Sequence, residues 1–376
     1  MQPNFLPVRY WGRKPVAMIQ KYIDSTDEII VDPFGGAGSV TLAAIKLEKY
    51  FKYSDINVFA WLISHVQVAS ANPDEYQLAV ERILESLEKS LPDIPDFPPL
   101  KRDFLKYSNG QWFYKKRNAN RITDFFSQRN YNVLRCMLQI IDNFSQQLSF
   151  RTSIALYLTF ASILFDSSKM KRKNSGSWGV PSYWIPKKHN EEDPIKLFKR
   201  RARKFLNYFK SFSGIQISYT ENSLNSLLLK SAFSLRYLPE YTVITDPPHS
   251  DEIQYLELSY FYWVWFRNSK LPKLLEQRLG KKIRFNFRSE LTVNPKQGKD
   301  LRYYLLKLRK FLRLIRVCRR VVLILHEEKE DILRELEKEA SKHFYLQKFE
   351  ERFSQRNIGP RGNNIYNVYI MKPKSS

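Results

Sequence analysis

The hydrophobic pattern of EIIVDPFGGAGSVTLAAIKLEKYFKYSDIN changes period twice. Residues 28–31 are a short β-branched run suited to a buried strand, and DPFGGAG is a turn rich in glycine and proline. From Ser39 onward Val40, Ala43, Ala44 and Leu47 share one helical face, and YFKYSD then predicts a second strand ending in an acid. Together these pieces predict a β-α-β unit, the building block of parallel sheets. INVFAWLISHVQVA predicts the next helix, which ANPDEY ends. From about residue 73 to residue 212 the pattern is mostly helical, apart from the proline-rich LPDIPDFPPLKRD and the polar loop KMKRKNSGSWGVPSYWIPKKHNEEDP. That stretch is too long for one connection inside an α/β sheet, so it predicts an inserted helical subdomain. Strand patterns return at GIQISY and YTVITD. An aromatic-rich helix, a basic segment, a helix over about 300–320, the strand VVLIL and a helix near 332–342 follow, and YLQKFEERF and IYNVYIMKP predict a closing strand pair.

A chain of 376 residues can bury a substantial core in two domains or one elaborated one. Its formal net charge of +24 favours a polyanionic partner. Residues 166–210 carry a net +9 and residues 267–320 a net +15, so the whole excess sits in two segments. Charge confined in this way predicts faces that meet phosphate, although two solvated helical faces would look alike. The two cysteines, Cys136 and Cys318, make neither a disulfide framework nor a zinc site, and the scattered histidines predict no metal. No apolar run reaches the length of a membrane span, and MQPNFLPVRYWGRKP lacks the apolar core of a signal peptide. The expectation is a cytoplasmic protein with no membrane partner.

In DPFGGAG the glycines Gly35, Gly36 and Gly38 let the backbone pass close to a ligand, and the following helix aims its free N–H groups at the same place. Asp55 ends the second strand at the distance of about 20 residues where such folds place an acid on ribose hydroxyls. A phosphate loop is excluded because no Lys-Ser or Lys-Thr follows the glycines. A dinucleotide fits poorly, since Asp32 at the strand end would repel a pyrophosphate. A cationic ligand with a ribose suits the site better, and S-adenosyl-L-methionine is one.

These residues resemble a known family. DPFGGAGSV is similar to the S-adenosylmethionine-binding motif of amino-methylating DNA methyltransferases, and TDPPH resembles their catalytic motif, Asp, Asn or Ser followed by Pro-Pro and an aromatic residue. YWGRKP looks like the segment that closes over the methionine end of the cofactor, and DEIQYLELSYFYWVWF like the helix after the catalytic motif in adenine-specific methylases. ELTVNPKQGKDLRYY and RNIGPRGNNIYNVYIMKP have the character of the same subgroup. The resemblance covers about two thirds of the chain in patches and leaves most of 73–212 unmatched. It implies an α/β, Rossmann-like methyltransferase with a mostly parallel seven-stranded sheet, residues 1–72 and 213–376, interrupted by a mainly helical insertion, residues 73–212, that helps read DNA.

The implied reaction moves a methyl group from S-adenosyl-L-methionine to an exocyclic amine of a base in double-stranded DNA. Such an amine is a poor nucleophile because its lone pair is delocalised into the ring. Asp246 would accept one amino proton and the carbonyl of Pro247 the other, with Pro247 and Pro248 fixing that direction. The base must leave the duplex and rest on a flat side chain, the place of His249. An imidazole can stack on a base; alternatively Tyr255 or Tyr260 takes over, or the enzyme is weakened. Asp at the first position tilts the target to adenine N6, with cytosine N4 as the alternative. The cofactor side is expected to hold Asp32, Phe34, Gly36, Gly38 and Asp55, with Trp11, Arg13 and Lys14 at its carboxylate.

Along 300–320, Leu301, Leu305, Leu308, Leu312 and Ile315 predict a core stripe, leaving Arg302, Arg309, Arg313, Arg316 and Arg320 for phosphate or solvent. His326 and Glu290 are candidates to line the cleft. KRKNSGSWGVPSYWIPKKH is the first candidate for target recognition and QRLGKKIRFNFRSEL the second. The family commonly protects a genome from a companion restriction endonuclease, so such a partner is expected. An RNA methyltransferase and a DNA-binding subunit without catalysis remain the rival readings.

Overall fold

The structure is a computed structural model and describes residues 5–114, 118–173, 183–212, 214–248, 250, 253–326, 329–354 and 363–374. Its elements run in the order α1 (Val16–Gln20), β1 (Ile29–Asp32), α2 (Ser39–Lys46), β2 (Tyr50–Asp55), α3 (Val58–Ala69), α4 (Pro73–Ser90), α5 (Gln128–Phe144), α6 (Phe150–Leu164) and α7 (Pro194–Ser211). They continue with β3 (Ser226–Leu229), β4 (Tyr241–Thr245), α8 (Tyr255–Arg267), α9 (Leu271–Leu279), α10 (Leu301–Ile315), β5 (Arg320–Leu325), α11 (Glu330–Ala340), β6 (Phe344–Ser354) and β7 (Asn363–Pro373).

The chain divides into two units, and α3 passes from one to the other. The α/β unit comprises Arg13–Trp61, Ile217–Gln254 and Arg288–Ser376. It holds one seven-stranded sheet in the order β3-β2-β1-β4-β5-β7-β6. The first five strands are parallel, and β7 enters antiparallel between β5 and β6. This is the mostly parallel, Rossmann-like sheet expected from the sequence. β1, β4 and β5 are buried throughout, as continuous apolar runs between covering layers should be. Ile29, Val31, Val243, Val321 and Leu323 pack against Phe311, Leu312 and Ile315 of α10 and Leu336 of α11.

Two expectations need correction here. GIQISY forms no strand of the sheet; the third strand is SLLL at Ser226–Leu229, a four-residue edge strand whose leucines carried no β-branched signal. In the GIQISY stretch Gly214 runs so close to α3 that an added Cβ would lie 2.6 Å from the Ala69 carbonyl, and Ile215 N donates to the Val68 carbonyl at 3.3 Å. The core stripe of α10 is also rotated. Tyr304, Leu308, Phe311, Leu312 and Ile315 are buried, whereas Leu301 is exposed in the first turn, because aromatic residues fill the face that aliphatic counting assigned to leucine.

The helical unit comprises Met1–Gly12, Leu62–Gln216 and Tyr255–Phe287. Four of its helices start on side-chain caps: Asn72 accepts from Asp74 N and Glu75 N, Ser127 from Asn130 N, Ser149 from Thr152 N, and Asp193 from Ile195 N and Lys196 N. α6 is buried on nearly every side, as the central helix of a helical layer must be. Trp265 of α8 meets Phe126 and Phe160 edge to face, at 5.4 and 5.6 Å. The second recognition candidate contributes to this core as well. Phe285 stacks on Trp263 at 5.5 Å, and Phe287 meets Phe113 at 5.2 Å.

Candidate active site

β1 and β4 are neighbours in the sheet although most of the chain separates them, and the strand order reverses between them. Ligands of open α/β sheets bind outside the carboxyl ends of the strands at such a reversal. Asp32 ends β1 there, and Asp246 follows β4. The Thr245 hydroxyl donates to Asp32 Oδ1 at 2.7 Å, tying the two strand ends together, and Phe34 N donates to the same oxygen at 3.3 Å. Burial pushes the Asp32 carboxyl up to about 8 against these two bonds, with Asp55 and Asp246 adding to the rise.

The glycine turn is built as its spacing demands. Gly36 and Gly38 both have positive φ, 49° and 79°, and Gly38 is the N-cap of α2. Gly35 N donates to the Ser54 carbonyl at 2.9 Å, and a Cβ on Gly35 would lie 2.1 Å from the Tyr53 ring. The Tyr53 hydroxyl donates to the Gly36 carbonyl at 2.7 Å, so this tyrosine, unremarked in the sequence, forms the floor of the turn. Asp55 accepts from Gly36 N at 2.8 Å and Asn57 N at 2.7 Å. Burial raises its carboxyl to about 6 in spite of those bonds. Phe34 turns to the core, edge-on to Phe311 at 5.0 Å.

Lys14 is 6% exposed in its side chain, and its ammonium bonds Oδ2 of Asp246. It also stands 5.1 Å from the centre of the Tyr366 ring. Oδ1 of Asp246 is buried and has no hydrogen-bond partner among the described residues. Pro247 is buried, and the carbonyl of Pro248 accepts from the Tyr304 hydroxyl at 3.0 Å. His249 lies outside the described residues. Among the described residues the sheet end thus brings together the carboxyl groups of Asp32, Asp55 and Asp246, the last paired with Lys14. Such a set fits a cation that also offers hydroxyl donors, as S-adenosylmethionine does, and would reject a pyrophosphate.

The remaining candidates lie in several places, His326 beside the ring of Tyr366 that also faces Lys14. Trp11 belongs to the helical unit, its ring 5.1 Å from Tyr10, and Tyr10 stacks on Tyr255 at 6.2 Å. Tyr260 is buried with its hydroxyl on the Arg102 carbonyl at 2.7 Å, a core residue of that unit. Glu290 is buried, and the His326 ring lies 5.3 Å from that of Tyr366. Of the first recognition loop, residues 174–182 lie outside the described residues. Tyr183 is fully buried and bonds the Glu257 carbonyl, so it serves the core of the helical unit. Three α10-region arginines offered for phosphate are occupied: Arg309 pairs with Glu335 at 2.9 Å, Arg313 with Glu339 at 3.5 Å, and buried Arg320 with Asp27 at 2.7 Å. Among the described residues no cluster could hold a metal ion, and no helix is long and apolar enough to cross a membrane.

The family model of the D12 class N6 adenine-specific DNA methyltransferases matches residues 13–228. The match spans more than half of the chain, and the chain belongs to that family of S-adenosylmethionine-dependent DNA methyltransferases. It takes in the glycine turn, Asp55 and most of β3, and ends before β4 and Asp246. No curated protein and no solved structure matches the chain.

Proposed function

We propose that this protein methylates the N6 amine of adenine at a specific site in double-stranded DNA, with Asp246 as the acceptor that draws on the amine, and that it is the modification enzyme of a restriction-modification pair. The carrying observation is the asymmetry of Asp246: Oδ2 is taken by Lys14, and buried Oδ1 has no partner among the described residues. A buried acceptor left without a donor costs about 1–3 kcal/mol, a cost that an incoming N–H donor removes. Asp246 Oδ1 accepts a hydrogen bond from one amino N–H and the Pro247 carbonyl accepts one from the other, which frees nitrogen lone-pair density for attack; the methylated amine then loses one proton, by way of Asp246, to solvent. The flipped base rests against His249. Asp32, Asp55 and the backbone of Gly36 and Gly38 hold the cofactor, which when bound supplies an electrophilic methyl group. Lys14 serves Asp246 in this reading and leaves the cofactor carboxylate to Arg13.

DNA is held electrostatically by the helical unit. On α7 the side chains of Lys196, Arg203, Lys204 and Lys210 are exposed and have no acidic partner among the described residues. Helical spacing puts Lys196, Arg203 and Lys210 on one line, a stripe suited to a phosphate backbone. An endonuclease partner and a cytoplasmic location belong to the same proposal.

The test is methyl transfer from labelled cofactor to duplex DNA and, in parallel, to total RNA, followed by nucleoside analysis. N6-methyladenine in DNA, mapped to one short sequence that becomes resistant to a matching endonuclease, is the expected result. Label only in RNA, or N4-methylcytosine, overturns the substrate. Methylation scattered without a common sequence overturns the protective role.

A further inference from the structure

The turn that carries Asp246 is held from the segment that begins α10. Tyr304 is 2% exposed, and its hydroxyl donates to the Pro248 carbonyl at 3.0 Å. Just beyond His249, Val293 N donates to the Ser250 carbonyl. Gln254 Nε2 donates to the Val293 carbonyl at 2.9 Å, while its Oε1 accepts from Thr292 Oγ1 at 3.1 Å and Asn294 Nδ2 at 3.0 Å. Residues of the 292–304 segment thus hold Pro248, Ser250 and Gln254.

We infer that Tyr304 is a positioning residue for methyl transfer, acting through the Pro248 carbonyl; the inference rests on the role given above to Asp246 and Pro247. Proline fixes φ at both Pro247 and Pro248, so the soft torsions left in the turn are the two ψ angles. The position of the Pro248 oxygen depends on the ψ of Pro247 and the ψ of Pro248. Pinning that oxygen therefore restricts the direction of the Pro247 carbonyl, the second acceptor for the amine. Lys14 fixes Asp246 on one side and Tyr304 fixes Pro248 on the other, leaving the two acceptors between them aimed by groups that never touch the base. Misplacement by about 1 Å costs on the order of 10²-fold in rate.

The experiment compares Tyr304→Phe, Leu308→Ala and Asp246→Ala with the full-length protein on duplex DNA. Tyr304→Phe removes one hydroxyl and keeps the ring. Its kcat is expected to fall about 10- to 100-fold with KM for DNA and cofactor within threefold. Leu308, one turn along the same buried face, packs in the same core and has no polar group with which to bond the Pro248 carbonyl. Leu308→Ala is expected to melt at a lower temperature than Tyr304→Phe yet to keep kcat within threefold, measured where both are folded. A Tyr304→Phe kcat within threefold of wild type, or a Leu308→Ala loss equal to that of Tyr304→Phe, overturns the inference. Retained transfer by Asp246→Ala would instead overturn the reading beneath it.

Discussion

Lys14, just before α1, and Asp246, just after β4, form a largely buried ion pair across 232 positions of sequence. A lysine so placed neutralises a carboxylate in an acidic pocket and leaves its other oxygen open. Lys14→Gln is expected to lower kcat at least tenfold and to lower stability by roughly 2–4 kcal/mol, because breaking a buried pair strands the remaining charge. Lys14→Arg should restore most of both. Cofactor affinity, measured by calorimetry, should change less than threefold; a large loss there with kcat intact would return Lys14 to the cofactor carboxylate.

Asp32 and Asp55 set a pH dependence. Both carboxyls titrate higher in the folded chain, at about 8 and about 6, than in the unfolded one, mainly because burial disfavours the charged form. Their contribution is fully present below the unfolded value near 4 and is lost as pH rises toward 6 for Asp55 and 8 for Asp32. Each ionising group can contribute up to about 1.4 kcal/mol per pH unit within its own window. The ligand-free protein should therefore lose melting temperature across that range, and Asp32→Asn should flatten the loss. A cationic cofactor favours the ionised carboxylates, so its binding should release protons below pH 8 and tighten as pH rises. Calorimetry in buffers of different ionisation enthalpy reads this directly.

Gly35→Ala tests the glycine turn. The new Cβ would meet the Tyr53 ring at 2.1 Å, and that ring is held by its hydroxyl bond to Gly36. The turn or the tyrosine must move, at a cost of about 1–3 kcal/mol. Cofactor affinity should fall more than tenfold, with a smaller loss for Gly35→Ala combined with Tyr53→Leu.

The basic residues should separate into two classes. Arg320 bonds Asp27 and the Tyr22 carbonyl, and the Thr242 hydroxyl bonds the same aspartate, so Arg320→Met should cost about 3–5 kcal/mol of stability. The salt dependence of DNA affinity should stay unchanged. Lys196→Gln, Arg203→Gln and Lys210→Gln on α7 should leave stability within about 0.5 kcal/mol, and each should lower the salt slope by nearly one, the share of a single neutralised phosphate.

Much of the α/β unit was legible because its strands are short apolar runs ending in acids and its first turn spells out its glycines. β1, β2 and β4 lie where the pattern put them, and Asp32, Asp55 and Asp246 come to the carboxyl ends of adjoining strands. What escaped was pairing. No local period says that Thr245 would bond Asp32, that Lys14 would reach Asp246, or that Tyr304 would reach Pro248, since each joins positions that meet only once the sheet has assembled. β3 escaped because four residues at an edge carry little pattern, and Arg320 because a buried pair with Asp27 reads in sequence as one more positive charge. The aromatic residues misled in the helical unit, where Tyr183 and Phe285 have the composition of a base-reading loop and the packing of a core.

The most direct test of the central claim is a single-turnover assay of Asp246→Ala against wild type, with cofactor binding measured separately on both. Wild type should convert adenine in duplex DNA to N6-methyladenine, and the variant should bind cofactor within about threefold while transferring at least 10³-fold more slowly. Transfer by Asp246→Ala within tenfold of wild type would contradict the role assigned to its buried Oδ1.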